Sequence, residues 1–407
     1  MTSPWPYEYP GAYWIDEAEE QAVVDVLRNG SLFRYYGLGT PRYVDALEAA
    51  AREFYGANHA LAVNSGTGAL AVSLAALGIG PGSEVIVPAY LWVATVGAVV
   101  QANAIPVLCE VDESLTMDPA DLERKITPRT GLIIPIHMAG APCNMPAIME
   151  VASRHQVPVL EDCAQCNGGS VDGRKVGTFG DMGIFSLQLN KNMTCGEGGL
   201  ILTSDERLYN RAFSAHDMGV VRVEGRLAMP EPYAVLWGQG RRMTELAGAV
   251  ASVQITKLPR IVDHMRASKR RIKSLIGDVP GVRFRTLHDE AGDTGAFMIL
   301  ILEHPARALS VAEALRTAGM HNVALLADTG QHIYYNIPPL VTKAGLSAAG
   351  NPWRLEANAE LLRDYNRGAC PKSDDLFARS IIIPVPSCLT PEQEDWAAET
   401  IRAALEG

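Results

Sequence analysis

Val159–Gly199, VLEDCAQCNGGSVDGRKVGTFGDMGIFSLQLNKNMTCGEGG, is the stretch that decides the fold. The apolar run around its start, Val157–Leu160, predicts a buried strand that stops on Glu161-Asp162. An acid at the carboxyl end of a parallel strand stands where open α/β sheets place their ligands. A second apolar piece, Met182–Leu189, leads to a lone lysine, Lys191, with polar residues and the glycines of GEGG close behind. A carboxylate at Asp162 and an amine at Lys191 are therefore expected at one rim of one sheet. That pairing suits a pyridine aldehyde cofactor. The amine condenses with the aldehyde carbon to an imine, and the carboxylate keeps the ring nitrogen protonated so that the ring accepts electrons.

Outward from this stretch, strand and helix patterns alternate. ALAV (60–63), EVIVPAY, IPVLCEV and GLIIPIHMAG read as strands. TGALAVSLAALG (67–78), LWVATVGAVVQA, Asp118–Lys125 and Met145–Arg154 read as the helices between them, and GLILTS (199–204) as a further strand. Unbroken β-branched runs alternating with helices indicate a mostly parallel sheet covered on both faces. Upstream, Asp16–Arg28 and Val44–Tyr55 have helical spacing and flank a Gly/Tyr-rich loop, SLFRYYGLGTPR. Downstream the rhythm fails. RVEGRLAMPEPYAVLWGQGRR reads as an irregular excursion, followed by a helix over Met243–Lys257 and a separate basic helix over Asp263–Ile276. FMILILE (297–303), a helix from Ser310 to Ala318, IIIPV (381–385) and a terminal helix N-capped by Thr390 suggest a smaller α+β unit. The expected organisation is a large domain over 30–250, a small one over 251–407, and an N-terminal arm and helix over 1–29.

At 407 residues, two or three domains of about 150 residues each fit. Hydrophobic content of 48% with 20% charged residues indicates a globular chain rather than a disordered one. A net charge of −11 without a basic cluster argues against nucleic acid. The densest basic runs, RKVGT and SKRRIK, read as a solvated loop and a solvated helix face. No apolar run approaches the length of about 18 residues that a membrane span needs. MTSPWPYEYPGAYW lacks the basic start and apolar centre of a signal peptide, so a cytoplasmic location is expected. Seven scattered cysteines read as reduced thiols. Cys163-Ala-Gln-Cys166 has CxxC spacing but neither a thioredoxin-like setting nor a second ligand pair, so it reads as small side chains filling space, and no metal is expected. GIGPG after Leu77 follows a helix, which removes the strand–turn–helix context that dinucleotide binding requires.

The combination EDCAQ, GTFGD, FS and a lysine before GEGG resembles the DegT/DnrJ/EryC1/StrS aminotransferases, pyridoxal 5'-phosphate (PLP) enzymes of sugar and aminocyclitol biosynthesis. The resemblance runs from about Glu17 to the C-terminus and implies the α/β architecture of fold-type I PLP-dependent transferases. Asn64-Ser65-Gly66-Thr67-Gly68 lies between a strand and a helix, where backbone N–H groups make a phosphate site. The resemblance implies that Ser65, Gly66, Thr67 and Gly68 hold the cofactor phosphate together with Ser186. It also implies that Trp92 stacks on the pyridine ring, that Asp162 partners the ring nitrogen and that Gln165 contacts the 3-oxygen. Lys191 holds the cofactor and, once displaced by substrate, moves a proton between the substrate carbon and C4′. One departure stands out. Where the family often has GYNYRM, whose asparagine reaches the neighbouring subunit's phosphate, this chain has Gly238-Gln239-Gly240-Arg241-Arg242-Met243. Either Arg241 or Gln239 substitutes for the asparagine, or the phosphate is held differently. His216, in SAHDMG, reads as structural or substrate-lining.

The resulting expectation is a homodimeric aminotransferase with shared active sites. It moves an amino group from glutamate or glutamine to the ketone of a sugar, sugar nucleotide or cyclitol, through a pyridoxamine phosphate form. The stretches HIYYNIPPL and CPKSDDLFARSIIIPV resemble the cyclitol-type members. Lys191 argues against the dehydratase branch, which carries histidine there. An aromatising branch that makes an aminobenzoate retains the lysine, and a catalytically silent protein on the same scaffold is the reading that Gly240 favours.

Overall fold

The structure, a computed structural model, describes residues 4–223 and 226–407. The first three residues of the expected N-terminal arm, and Glu224-Gly225 of the expected excursion, lie outside the described residues.

Seven strands form the centre: β1 (His59–Val63), β2 (Glu84–Pro88), β3 (Ile105–Cys109), β4 (Thr130–Ile133), β5 (Leu160–Asp162), β6 (Met182–Ser186) and β7 (Gly199–Thr203). A ladder ordered β3-β2-β4 and another ordered β5-β6-β7-β1 are joined by parallel bridges, Ile133 to Val159 and Ile136 to Asp162. All pairings are parallel except those of β7, which runs antiparallel between β6 and β1. Every residue of β2, β3, β6 and β7 is buried, as unbroken apolar runs in a sheet covered on both faces require. The strand expected over 131–140 stops at Ile133. Pro135 has no N–H for the ladder, and the chain turns into a 3-10 turn at Met138–Gly140, where Ala139 takes a left-handed φ of 50°.

Helix ends follow their local signals. Asp16 and Glu19 form a capping box at the start of Glu17–Asn29, and Gly30 closes it in the left-handed conformation. Thr390 and Gln393 repeat the device at Pro391–Glu406.

Three expectations about the downstream region are corrected. The helices expected over 243–257 and 263–276 are one, Glu245–Ile276, which continues through Pro259. A proline inside a helix loses one hydrogen bond. Here Leu258, Ile261, Val262 and Met265 around it are all buried in the core, and that burial outweighs the loss. SKRRIK on this helix is not uniformly solvated. Ser268 and Lys269 are buried, and the Lys269 ammonium meets Asp293 at 2.7 Å. The excursion after Arg222 also contains regular structure, a short antiparallel ladder of Val221–Val223 with Arg226–Ala228.

The C-terminal part packs the antiparallel strands β8 (Val282–Phe284), β9 (Phe297–Leu302), β10 (Ala324–Leu325) and β11 (Ser380–Pro384) in the order β8-β9-β11-β10. Helices Pro305–Thr317 and Pro391–Glu406 share its apolar cluster. Among the described residues, no helix is long and apolar enough to cross a membrane.

His216 is fully buried at the end of the helix Glu206–His216 and takes the structural role. Its Nδ1–H donates to the Phe213 carbonyl, and its Nε2 accepts from the Tyr35 hydroxyl at 3.0 Å. Burial pushes its pKa down to about 3. The unfolded chain, with an ordinary histidine, therefore binds a proton at higher pH than the folded one. This contribution to stability is complete above about pH 6.5 and is lost as the pH falls below it. Urea midpoints measured from pH 7.5 to pH 4.5 should fall more steeply for the wild type than for His216→Gln, and parallel curves would count against this account.

Candidate active site

β5 ends on two acids whose side chains leave opposite faces of the strand. Glu161 turns inward and is fully buried. Its carboxylate accepts the backbone N–H groups of Gly177 (2.8 Å), Phe179 (2.6 Å) and Gly180 (2.8 Å), and lies 3.1 Å from His137 Nε2. His137 Nδ1 accepts the Cys143 N–H, so Nε2 carries the proton toward Glu161. This acid pins the GTFGD turn under the sheet. Asp162 faces the other way, into a cavity of about 480 Å³. Its Oδ2 accepts the Thr95 hydroxyl at 2.8 Å and its Oδ1 the Ala164 N–H at 3.1 Å.

Lys191 reaches the same cavity from the loop that joins β6 to β7. Because β7 returns antiparallel beside β6, the intervening residues form a hairpin beyond the carboxyl end of β6. Leu187 donates to Gly198 O, Leu189 to Gly196 O and Lys191 to Gln188 O, which sets the lysine near the tip. Gly11 of the N-terminal segment donates to the Lys191 carbonyl at 3.0 Å and holds the loop from outside. Burial lowers the Lys191 pKa from the ordinary lysine value, with the Asp162 carboxylate opposing.

The remaining expected residues are placed as follows. Ser65, Gly66, Thr67, Trp92, Gln165 and Ser186 line the cavity with Asp162 and Lys191. Ser65 is the N-cap of the helix Gly66–Leu77, its Oγ accepting the Gly68 N–H at 2.9 Å. Trp92 caps the next helix and lies with its ring centroid 4.6 Å from that of His332. Arg241 is not brought into the lining. Its side-chain stem packs beside Gly68, its backbone pairs with Asn64, and its Nε is buried without a partner. Gly240 has a φ of +64°, a conformation that glycine and asparagine both tolerate, with open space around its missing side chain.

Three contributors carried weaker signals in the sequence or none. Thr95, in the first turn of a helix recognised from its apolar run, orients Asp162. Gly11 carries no motif. His332 comes from the HIYYNIPPL stretch, where nothing distinguished it from its neighbours. Its Nδ1–H donates to Thr329 O, so its Nε2 accepts from the Gln165 amide at 3.2 Å. The Gln165 Oε1 in turn accepts the N–H of Ala139 at 3.1 Å. That strained turn is held by Arg285, whose guanidinium donates to the Met138 and Ala139 carbonyls and faces Asp293.

The donor set fits PLP. Among the described residues Asp162 makes no ion pair, although it is buried, and burial pushes its pKa up while Lys191 pulls it down. A buried carboxylate in that state calls for a cation, which a pyridinium nitrogen supplies. At the other end of the cavity, a Cβ on Gly66 would stand 2.8 Å from that of Ser186, so the turn leaves a cradle beside free N–H groups at a helix N-terminus.

The fold and this lysine–carboxylate cavity define a fold-type I PLP-dependent enzyme. The DegT/DnrJ/EryC1/StrS aminotransferase family matches residues 14–402, and the chain belongs to it. It is a PLP-dependent aminotransferase. Among curated proteins it is similar to the L-glutamine:2-deoxy-scyllo-inosose aminotransferase of Micromonospora echinospora, 35% identical over 309 residues, covering 71% of this chain and 70% of that protein. Among solved structures it is similar to 3-amino-5-hydroxybenzoic acid synthase, with a TM-score of 0.81, 25% identity and 100% of both chains covered. DesV of S. venezuelae gives a TM-score of 0.79 at 25% identity, covering 99% of this chain and 100% of that one.

Glu161→Gln would turn an amide N–H toward the three backbone donors and the His137 ring that now meet the carboxylate. We expect a loss of about 1–3 kcal/mol in unfolding free energy by denaturant titration. An unchanged midpoint would refute the pinning role.

Proposed function

We propose that this enzyme transfers an amino group from glutamine or glutamate to the ketone of a sugar, sugar nucleotide or cyclitol. The observation that carries the reading is the buried pair at one cavity wall, an unpaired carboxylate and an amine made less basic by its surroundings. The named activity of the M. echinospora relative supports the donor and the acceptor class.

Bound in the cavity, PLP supplies an electron sink for the pair released when a carbon–hydrogen bond breaks beside nitrogen. Asp162, oriented by Thr95, would hold the ring nitrogen. The N–H groups of Gly66 and Thr67, with the Thr67 and Ser186 hydroxyls, would hold the phosphate; Gly68, whose N–H is taken by the Ser65 hydroxyl, stays outside the lining, and the Trp92 indole would lie against the ring. Gln165 has spent its oxygen on Ala139 and one amide hydrogen on His332, which leaves its second hydrogen for the 3-oxygen. Arg241, which does not line this cavity, would serve the phosphate of the neighbouring subunit's cofactor in place of the family's asparagine. Lys191 Nζ takes the proton from the donor carbon and returns it to the acceptor carbon. Burial favours its neutral form, and a neutral amine is the form able to accept that proton.

The site is completed in a homodimer. Leu38 and Trp237 are each 96% exposed, one on the Gly/Tyr-rich loop and one on the excursion, and a second copy would cover them. A large domain over 30–250 and a small one over 251–407, linked by the helix Glu245–Ile276, describe the chain, and a cytoplasmic setting agrees with its reduced, largely buried thiols.

The likeness to 3-amino-5-hydroxybenzoic acid synthase supports a second reading, an aromatising reaction, which would give a product with new ultraviolet absorbance from an amino-shikimate-type substrate.

Purified wild type should show a visible cofactor band that glutamine bleaches and a keto-cyclitol or keto-sugar restores. Lys191→Ala should lose turnover by at least about 10³-fold and should lose covalent trapping by borohydride, read by mass spectrometry. Recovery of the band by simple oxo acids alone would overturn the acceptor class. Light scattering should find two chains per particle.

A further inference from the structure

A second chamber, of about 270 Å³, shares Ala164, Gln165, Asn190, Lys191 and His332 with the cofactor cavity. Phe297, Ile382 and Pro384 of the C-terminal sheet form its apolar wall. Its polar wall is mostly amides, Asn167, Asn190, Asn192 and Asn322 with the shared Gln165, joined by the Tyr90 phenol and Thr329. Among the residues that line it, Lys191 and His332 are the only basic side chains, and burial pushes both toward their neutral forms.

Asn167 is the informative member. It is 1% exposed. Its Nδ2 donates to the Ser186 carbonyl at 3.0 Å, which fixes which end of the amide is nitrogen. Its backbone carbonyl receives the Asn192 amide at 3.3 Å. Its Oδ1 is buried and has no partner. A buried acceptor is almost always paired, and this one belongs to a side chain that lines a polar chamber beside the reacting amine, where an arriving donor would pair it. Cations and carboxylates are poor candidates for the chamber as a whole. An anion would find no guanidinium in this lining to neutralise it, and a diphosphate would need several such groups. Hydroxyl groups, which donate and accept, match amides on one side, and the ring carbons they sit on match Phe297 and Ile382 on the other.

We infer that Asn167 is a specificity-determining residue whose Oδ1 accepts a hydroxyl of the acceptor, and that this chamber takes an uncharged polyhydroxylated ring ketone rather than a nucleotide-linked one. The inference rests on the aminotransferase reading above and narrows its acceptor.

The test compares scyllo-inosose with its monodeoxy analogues as acceptors for the glutamine-loaded holoenzyme. In the wild type, one missing hydroxyl should lower kcat/KM about tenfold, the effect of one lost hydrogen bond. In Asn167→Ala that ratio should fall to near one. A general packing defect lowers every acceptor alike and preserves the ratio, so a ratio unchanged in the variant overturns the inference. On the wild type alone, myo-inositol should compete with the acceptor and uridine diphosphate should not, and the opposite order also overturns it. Amination of no ring ketone at all, with turnover of simple oxo acids, would instead sink the broader acceptor class.

Discussion

The site depends on a carboxylate that the fold buries and leaves without an ion-pair partner. Asp162 stands at the carboxyl end of β5, held by one hydroxyl and one backbone N–H. Leaving a charge there unneutralised is unfavourable, and among the described residues no side-chain cation stands within ion-pair distance of it. The cavity is therefore tuned toward a cationic ring, and the amine of Lys191 is tuned in the opposite sense by the same burial. The same burial sets both properties, which is how a protein pushes two titrating groups toward complementary roles.

Strand geometry separates function from support at adjacent residues. Glu161 and Asp162 are neighbours in sequence, yet alternation sends one below the sheet and one above it. Glu161 gathers three backbone N–H groups of a turn. That turn precedes β6, whose hairpin carries Lys191. The acid that does no chemistry thus helps place the strand that carries the amine, and the acid that meets the cofactor relies on Thr95 from a different helix.

Support also reaches in from the far end of the chain. Lys269 and Arg285 converge on Asp293, and Arg285 holds the carbonyls of the strained turn at Ala139. The N–H of Ala139 then fixes Gln165, which His332 fixes from its other side. Buried charges of this kind are unfavourable unless satisfied. Here Lys269 and Gly295 satisfy one Asp293 oxygen and two carbonyls satisfy Arg285, while Asp293 Oδ1 and Arg285 Nε make no hydrogen bond and rely on their mutual attraction.

The sequence by itself determined the parts that local physics writes. Alternating apolar runs and helical spacing specified a parallel sheet with covering helices, and Thr390 marked the start of the terminal helix. The acid ending one strand and the lysine following another placed two functional groups at one rim. What only the tertiary structure decided were the pairings between distant segments. Pro259 looked like a break, but the helix runs through it because its neighbours bury enough surface to offset one lost hydrogen bond. SKRRIK looked solvated, but Asp293 waits for Lys269 on another element. His332, Gly11 and the unpaired oxygen of Asn167 carry no local signature, because a side chain's role there is set by what faces it, and nothing within a few residues along the chain reports that.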